Sequence, residues 1–117
     1  MTHAFDDDAL TRLVGRDAVR QRRIYALFMD TGGQSLTSMR AALDGADLAA
    51  LGVAAHRLKS AALLVGAPAL GALAAQIEAA ANEGSGRTIA PMLCAVEAEA
   101  ARALDWVRAR LQALAEG

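Results

Sequence analysis

Few side chains in this 117-residue chain could take part in covalent or metal chemistry. They are two histidines, His3 and His56, and one cysteine, Cys94. A zinc site would need carboxylates beside them, and there is no H-E-x-x-H, C-x-x-C, P-loop or G-x-G-x-x-G pattern. Cys94 lies between Leu93 and Val96 in an apolar segment, so it is expected to be a small buried hydrophobe. His3 is expected to sit in a mobile terminus. His56 is different. Lys59 and Ser60 follow it by three and four residues, which makes both its neighbours on a helix surface. Ala49, Gly52, Val53, Leu63 and Leu64 share that outward half of the helix. From Asp47 to Val65 the only full charges are Asp47, Arg57 and Lys59. A solvent face should be charged, and an apolar one around a His–Lys pair marks a partner surface.

The elements that must position these residues are read from helical periodicity. The segment from 47 to 65 has Asp47 as N-cap and an inward stripe of Leu48, Leu51, Ala55, Leu58, Ala62 and Val65, stepping by three and four. His56 points about 130° from the middle of that stripe. Gly66 stops the helix, and Pro68 suits the first turn of the next, which carries Leu70, Leu73, Ile77 and Ala81 and ends by Gly84. A last helix begins near Thr88 as N-cap, with Ile89, Leu93, Val96, Ala100, Leu104, Val107, Leu111 and Leu114 inward. Before the histidine helix, one long helix spans 17–43 with Ile24, Leu27, Phe28, Leu36, Met39 and Leu43 as its apolar positions. The phase continues across Gly32-Gly33, so the glycines weaken this helix without breaking it. A short N-terminal helix, with Leu10, Leu13 and Val14 on one face, ends near Gly15. Short connections make successive helices antiparallel neighbours. The expected fold is all-α: an up-down-up-down four-helix bundle over 16–117, preceded by a short additional helix in 1–15, in a single domain.

Composition agrees with this fold. Thirty alanines and 3% aromatics favour closely packed helices, and valine and isoleucine are too few for a sheet. With 12 basic and 13 acidic residues the net charge is −1, so neither nucleic acid nor an anionic membrane is an expected partner. Arg16, Arg20, Arg22 and Arg23 form a basic cluster whose one nearby aromatic is Tyr25, a pattern of a solvated helix face. The uncharged run Ala61–Gln76 contains Gly66, Pro68 and Gly71 and falls short of the roughly 20 apolar residues a span needs. Met1–Asp8 is acidic and lacks the apolar stretch of a signal peptide. A cytoplasmic, free-standing monomer is the expectation.

The string Ala55-His56-Arg57-Leu58-Lys59-Ser60, with Gly66 ten residues after the histidine, resembles the signature of histidine-containing phosphotransfer (HPt) domains, written H-x-L-K-G with a glycine further along. The likeness extends to the long preceding helix with Leu27-Phe28, the Gly45-Ala46-Asp47 lead-in and the following helix with Leu70, Leu73 and Ile77-Glu78. Ser60 stands where the family most often has glycine; serine is small, so the space beside the imidazole survives. The resemblance implies a phosphocarrier without kinase activity or an ATP site. It would take a phosphoryl group on His56 from a receiver-domain aspartyl-phosphate and pass it to another receiver, with a hybrid histidine kinase as a further possible partner. In that family an acceptor about 22 residues after the histidine orients the ring. Here that position is Glu78, with Gln76 as the nearby substitute. Lys59 would offset phosphoryl charge. Gly52 and Ser60 would leave room for the receiver, Gly66 would allow a tight turn and close helix packing, and Val53, Leu63 and Leu64 would dock the partner. No cofactor is expected in this chain, because Mg²⁺ belongs to the receiver. Three rivals remain at this point: a non-catalytic adaptor using the same patch, a metal- or cofactor-binding bundle, for which the inward stripes supply no ligands, and a nucleic-acid binder through the arginine cluster.

Overall fold

The structure, a computed structural model, describes residues 5–116; the expectation for His3 lies outside them. Five α-helices follow one another: α1 (Ala9–Val14), α2 (Ala18–Asp44), α3 (Leu48–Val65), α4 (Pro68–Asn82) and α5 (Ile89–Glu116), with a 3-10 turn at Gly86–Thr88. Helices α2 to α5 form the antiparallel bundle and α1 is the short addition. At about 1.5 Å per residue, the 28 residues of α5 account for most of the 46 Å long axis.

The helix ends follow local chemistry. The Asp17 carboxylate accepts from the backbone N–H groups of Val19 and Arg20, and that of Asp47 accepts from Ala50 at 3.0 Å. Each satisfies amides that have no partner within the helix. α2 runs unbroken through Gly32 and Gly33, as the phase of its apolar residues requires. Thr88 does not cap α5: its hydroxyl donates to the Ser85 carbonyl at 3.0 Å, and the 3-10 turn leads into the helix instead.

The inward stripes are those expected, with two corrections. Leu51, Leu58, Val65, Leu70, Ile77, Ile89, Leu93, Val96 and Val107 are fully buried. In α2, however, the buried face is Gln21, Tyr25, Phe28, Gly32, Ser35, Met39 and Ala42. Leu27 precedes Phe28 by one residue, about 100° round the helix, and is 60% exposed. Tyr25, far from sharing a solvated face with the arginines, is completely buried and meets Trp106 edge-on at 6.0 Å. Cys94 is the second correction. It is exposed, because the stripe through Leu93 and Val96 turns it outward by about 100°.

The α3–α4 hairpin depends on two glycines. Gly66 ends α3 with φ of +91°, a left-handed conformation that L side chains adopt only at a cost. A Cβ there would also run into the carbonyl oxygen of Asp6. That segment is held against the turn by the Asp6 N–H, which donates to the Gly66 carbonyl at 2.7 Å. Gly71 lets α4 approach α3 closely: a Cβ on it would stand 2.7 Å from a Leu63 methyl. The residues N-terminal to α1 are anchored further by Phe5 stacked on Trp106 at 4.7 Å, the Trp106 indole N–H donating to Asp7, and Arg110 donating to the Asp7 carbonyl.

α3 has the length and apolarity of a membrane-crossing helix. Yet His56, Arg57 and Lys59 stand in its middle, and Leu51, Ala55, Leu58 and Ala62 bury its opposite side against α2 and α4. Those features belong to the central helix of a bundle.

Candidate functional site

His56 stands on the outer side of α3, and Glu78 reaches it from the neighbouring turn of α4. The His56 Nδ1–H donates to Glu78 Oε2 at 2.8 Å. The other carboxylate oxygen, Oε1, accepts from Lys59 Nζ at 2.9 Å. Lys59 is one helical turn beyond His56, so one carboxylate bridges both residues. The imidazole side chain is 60% exposed, whereas Glu78 is only 23% exposed. Glu78 is therefore the seated member of the trio and the ring is the presented one.

Electrostatics fix the roles. The Lys59 ammonium holds the Glu78 carboxyl below its ordinary range; partial burial opposes this, and the bond from His56 adds to it. An ionised carboxylate can only accept, so Nδ1 carries a proton, and in the neutral ring the lone pair lies on Nε2. The arrangement presents a nucleophilic nitrogen on an open face, with a cation one turn away and a carboxylate behind the ring.

The other residues singled out by the sequence fall into two groups. Gly52 and Val53 line, with Ala49, His56, Glu78 and Asn82, a groove of about 390 Å³ between α3 and α4. Ser60 and Leu64 line a second, apolar groove between α3 and α2, which also takes in Leu27 and Phe28. Val53, Leu63 and Leu64 are exposed. Gly52 itself is buried, and a Cβ on it would touch Asn82 and Ala81 at ordinary contact distance; it sits in the α3–α4 contact as well as in the groove. Gly66 is not brought to the site: it is buried beneath the N-terminal segment. Gln76 is exposed and, about 200° round α4 from Glu78, makes no side-chain hydrogen bond among the described residues; the carboxylate meets the ring.

Three residues near the site were not singled out by sequence. Asn82 lies one turn beyond Glu78, a spacing that could have marked it. Leu27 was assigned to the core. Leu13 borders Leu63 and Leu64 across the shallow groove between α1 and α3, a contact between distant segments that no local pattern announces. Among the described residues no three His, Cys, Asp or Glu side chains gather as a metal site.

The site is thus a histidine presented on an open helical bundle and oriented by a carboxylate from the next helix. Residues 23–117 match the family model described as the Hpt domain. The fold is similar to the crystal structure of histidine-containing phosphotransfer protein B (HptB) from Pseudomonas aeruginosa PAO1, with a TM-score of 0.88 and 23% identity, over 96% of this chain and 97% of that one. No curated protein matches the chain. The chain belongs to the Hpt domain family. That family serves histidine phosphotransfer in phosphorelays, with receiver domains of response regulators and hybrid kinases as its kind of partner.

Proposed function

We propose that this chain is a histidine phosphotransfer protein that accepts a phosphoryl group on His56 from a receiver aspartyl-phosphate and passes it to another receiver. The observation that carries this reading is the 2.8 Å bond from His56 Nδ1–H to Glu78, which leaves Nε2 as the free nucleophile on an exposed face. In the forward step the Nε2 lone pair attacks phosphorus. The bond from phosphorus to the aspartyl oxygen breaks, and its electron pair leaves with the carboxylate. The ring becomes a phosphoimidazolium whose positive charge faces the Glu78 carboxylate through Nδ1–H. Return to a second receiver reverses the same bonds. Lys59 supplies positive charge beside the phosphoryl oxygens. Val53, Leu63 and Leu64 seat the receiver, while Gly52 and Ser60 keep the approach to the ring clear.

The same proposal makes the chain a phosphocarrier without kinase activity, acting as a cytoplasmic monomer without nucleic acid or membrane. It needs no cofactor, since the receiver brings Mg²⁺. The test is direct. A phosphorylated, labelled receiver is incubated with the chain, and acid-labile, base-stable label is sought on wild type and on His56→Gln. Label on wild type alone is expected. No label from any receiver in a broad panel would leave the adaptor reading in its place, and label persisting on His56→Gln would move the site elsewhere.

A further inference from the structure

The most exposed bulky apolar side chains are spread unevenly around His56. On the α4 side the groove is lined by Ala49, Gly52, Val53, His56, Glu78 and Asn82, of which Val53 is the one exposed bulky apolar side chain. Toward the C-terminal end of α3 stand Leu63 and Leu64, with Leu27 of α2 beside them and Leu13 of α1 next in line. Leu13 is 57% exposed, although Leu10 of the same short helix is fully buried. Leu64 belongs to both the α2–α3 groove and the α1–α3 groove, so the apolar surface is continuous.

We infer that α1, through Leu13, is part of the receiver-docking surface and a determinant of which receiver is accepted. This inference rests on the phosphotransfer reading for the identity of the partner. The occupant follows from continuity with the His56 face. A receiver that brings its aspartate to Nε2 covers about 800 Å² on this side, the standard size per partner. Spread evenly, that is a patch of about 16 Å radius. Leu63 is seven residues from His56, about 10 Å along the helix axis, and Leu13 adjoins it. A receiver seated on the leucines therefore reaches α1.

Two further features support a binding role. α1 is preorganised: Asp6 is bonded to Gly66, Trp106 and Arg110 bind Asp7, and Arg12 pairs with Asp6. A rigid surface loses little entropy on docking. α1 also lies outside the span that matches the Hpt domain, which begins at residue 23. Its residues are thus outside the matched family pattern, while the fold similarity, over 96% of this chain, reaches into this segment.

The experiment is a binding titration of the full chain against a panel of isolated receiver domains, with phosphotransfer measured in parallel. Wild type, Leu13→Ser and Val19→Ser are compared. Val19 is equally apolar and exposed but lies on none of these grooves. Leu13→Ser is expected to weaken the preferred receiver by about fivefold or more, the scale for losing a half-buried leucine contact, and to narrow its margin over the others. Val19→Ser should bind as wild type. Unchanged receiver affinities in Leu13→Ser, with its melting temperature intact, overturn the inference. So does a concentration-dependent dimer of the wild type that Leu13→Ser abolishes, because the surface then serves a second copy. Binding and transfer separate the two proposals. Receiver binding that depends on Leu13 without label on His56 refutes phosphotransfer and leaves the docking surface. Normal labelling with no effect of Leu13 does the reverse.

Discussion

Replacing Glu78 by glutamine tests the site at its center. The side chain keeps its length and an oxygen acceptor, so the ring can still be held, but the charge is gone. A hydrogen bond to a charged group contributes about 1.5–3 kcal/mol and a neutral one about 0.5–1.5. The wild-type bond is charge-assisted and 2.8 Å long. The difference is therefore about 1 kcal/mol, taken at the low end because the ring is more than half exposed. It acts where the ring gains positive charge, in the transition state as well as the product. The forward transfer rate should fall about fivefold, and the equilibrium should shift toward the phosphorylated receiver. Glu78→Ala removes the acceptor altogether and should cost more. Two assays check this. Quench-flow labelling gives the rates, and nitrogen-15 spectra of His56 report which ring nitrogen carries the proton. Wild type should show the Nδ1–H form, and Glu78→Ala should lose that preference. A wild-type ring protonated on Nε2, or rates in Glu78→Gln equal to wild type, would refute the assignment of Nε2 as the nucleophile oriented by Glu78.

Lys59→Ala should slow transfer severalfold while helical content stays unchanged; unaltered rates would reduce Lys59 to a surface partner of Glu78. The Glu78 carboxyl is held below its unfolded value, so the stability it confers is present above the unfolded carboxylate range and is lost as pH falls through the lower, folded value. In acid melts the wild type should therefore lose stability relative to Glu78→Gln, and parallel curves down to the acid limit would contradict this. Gly66→Ala places a side chain at positive φ and against Asp6, which should cost about 1–2 kcal/mol or more and lower the melting temperature by at least about 5 °C; an unchanged melt would show that the turn relaxes freely. The exposed Cys94 thiol should react with a thiol reagent in the native protein at the rate of an open site, and protection until unfolding would place it inside.

Periodicity alone was enough to locate the four bundle helices, because each has one stripe and clear ends at Asp17, Asp47, Gly66 and Pro68. It also placed His56 outside, since a stripe fixes its own opposite face. It failed where two stripes overlap. In α2 both Leu27 and Phe28 fit an apolar face by spacing, and only packing against the other helices buries Phe28 and leaves Leu27 out. Tyr25 was hidden among arginines, yet its ring fills the space under Trp106. Cys94 was judged by its apolar neighbours, though adjacent residues on a helix point in different directions. At the site, the spacing of Lys59 from His56 was legible within one helix. That a single carboxylate would bridge both residues was not, because it depends on the depth at which α4 lies against α3. Gly71 contributes by leaving room for the Leu63 side chain, and nothing in its local sequence distinguishes it from a filler residue.

The alanine-rich composition acquires a functional reason at this point. A carrier that must offer one imidazole to successive partners needs a ring that is fixed in direction but not enclosed. Close helix approach, permitted by Gly71 and the alanines of α4, brings Glu78 within reach of α3 without burying the ring beneath larger side chains. A bulkier α3–α4 contact would lift the carboxylate away, and Lys59 would then be left as the only charged neighbour of the ring. The same small residues keep the α4 side of His56 low apart from Val53, while four leucines rise on the α1 and α2 side. The face is thus open above the nucleophile and adhesive at one edge, a shape that lets a partner hold on beside the reacting atoms instead of over them.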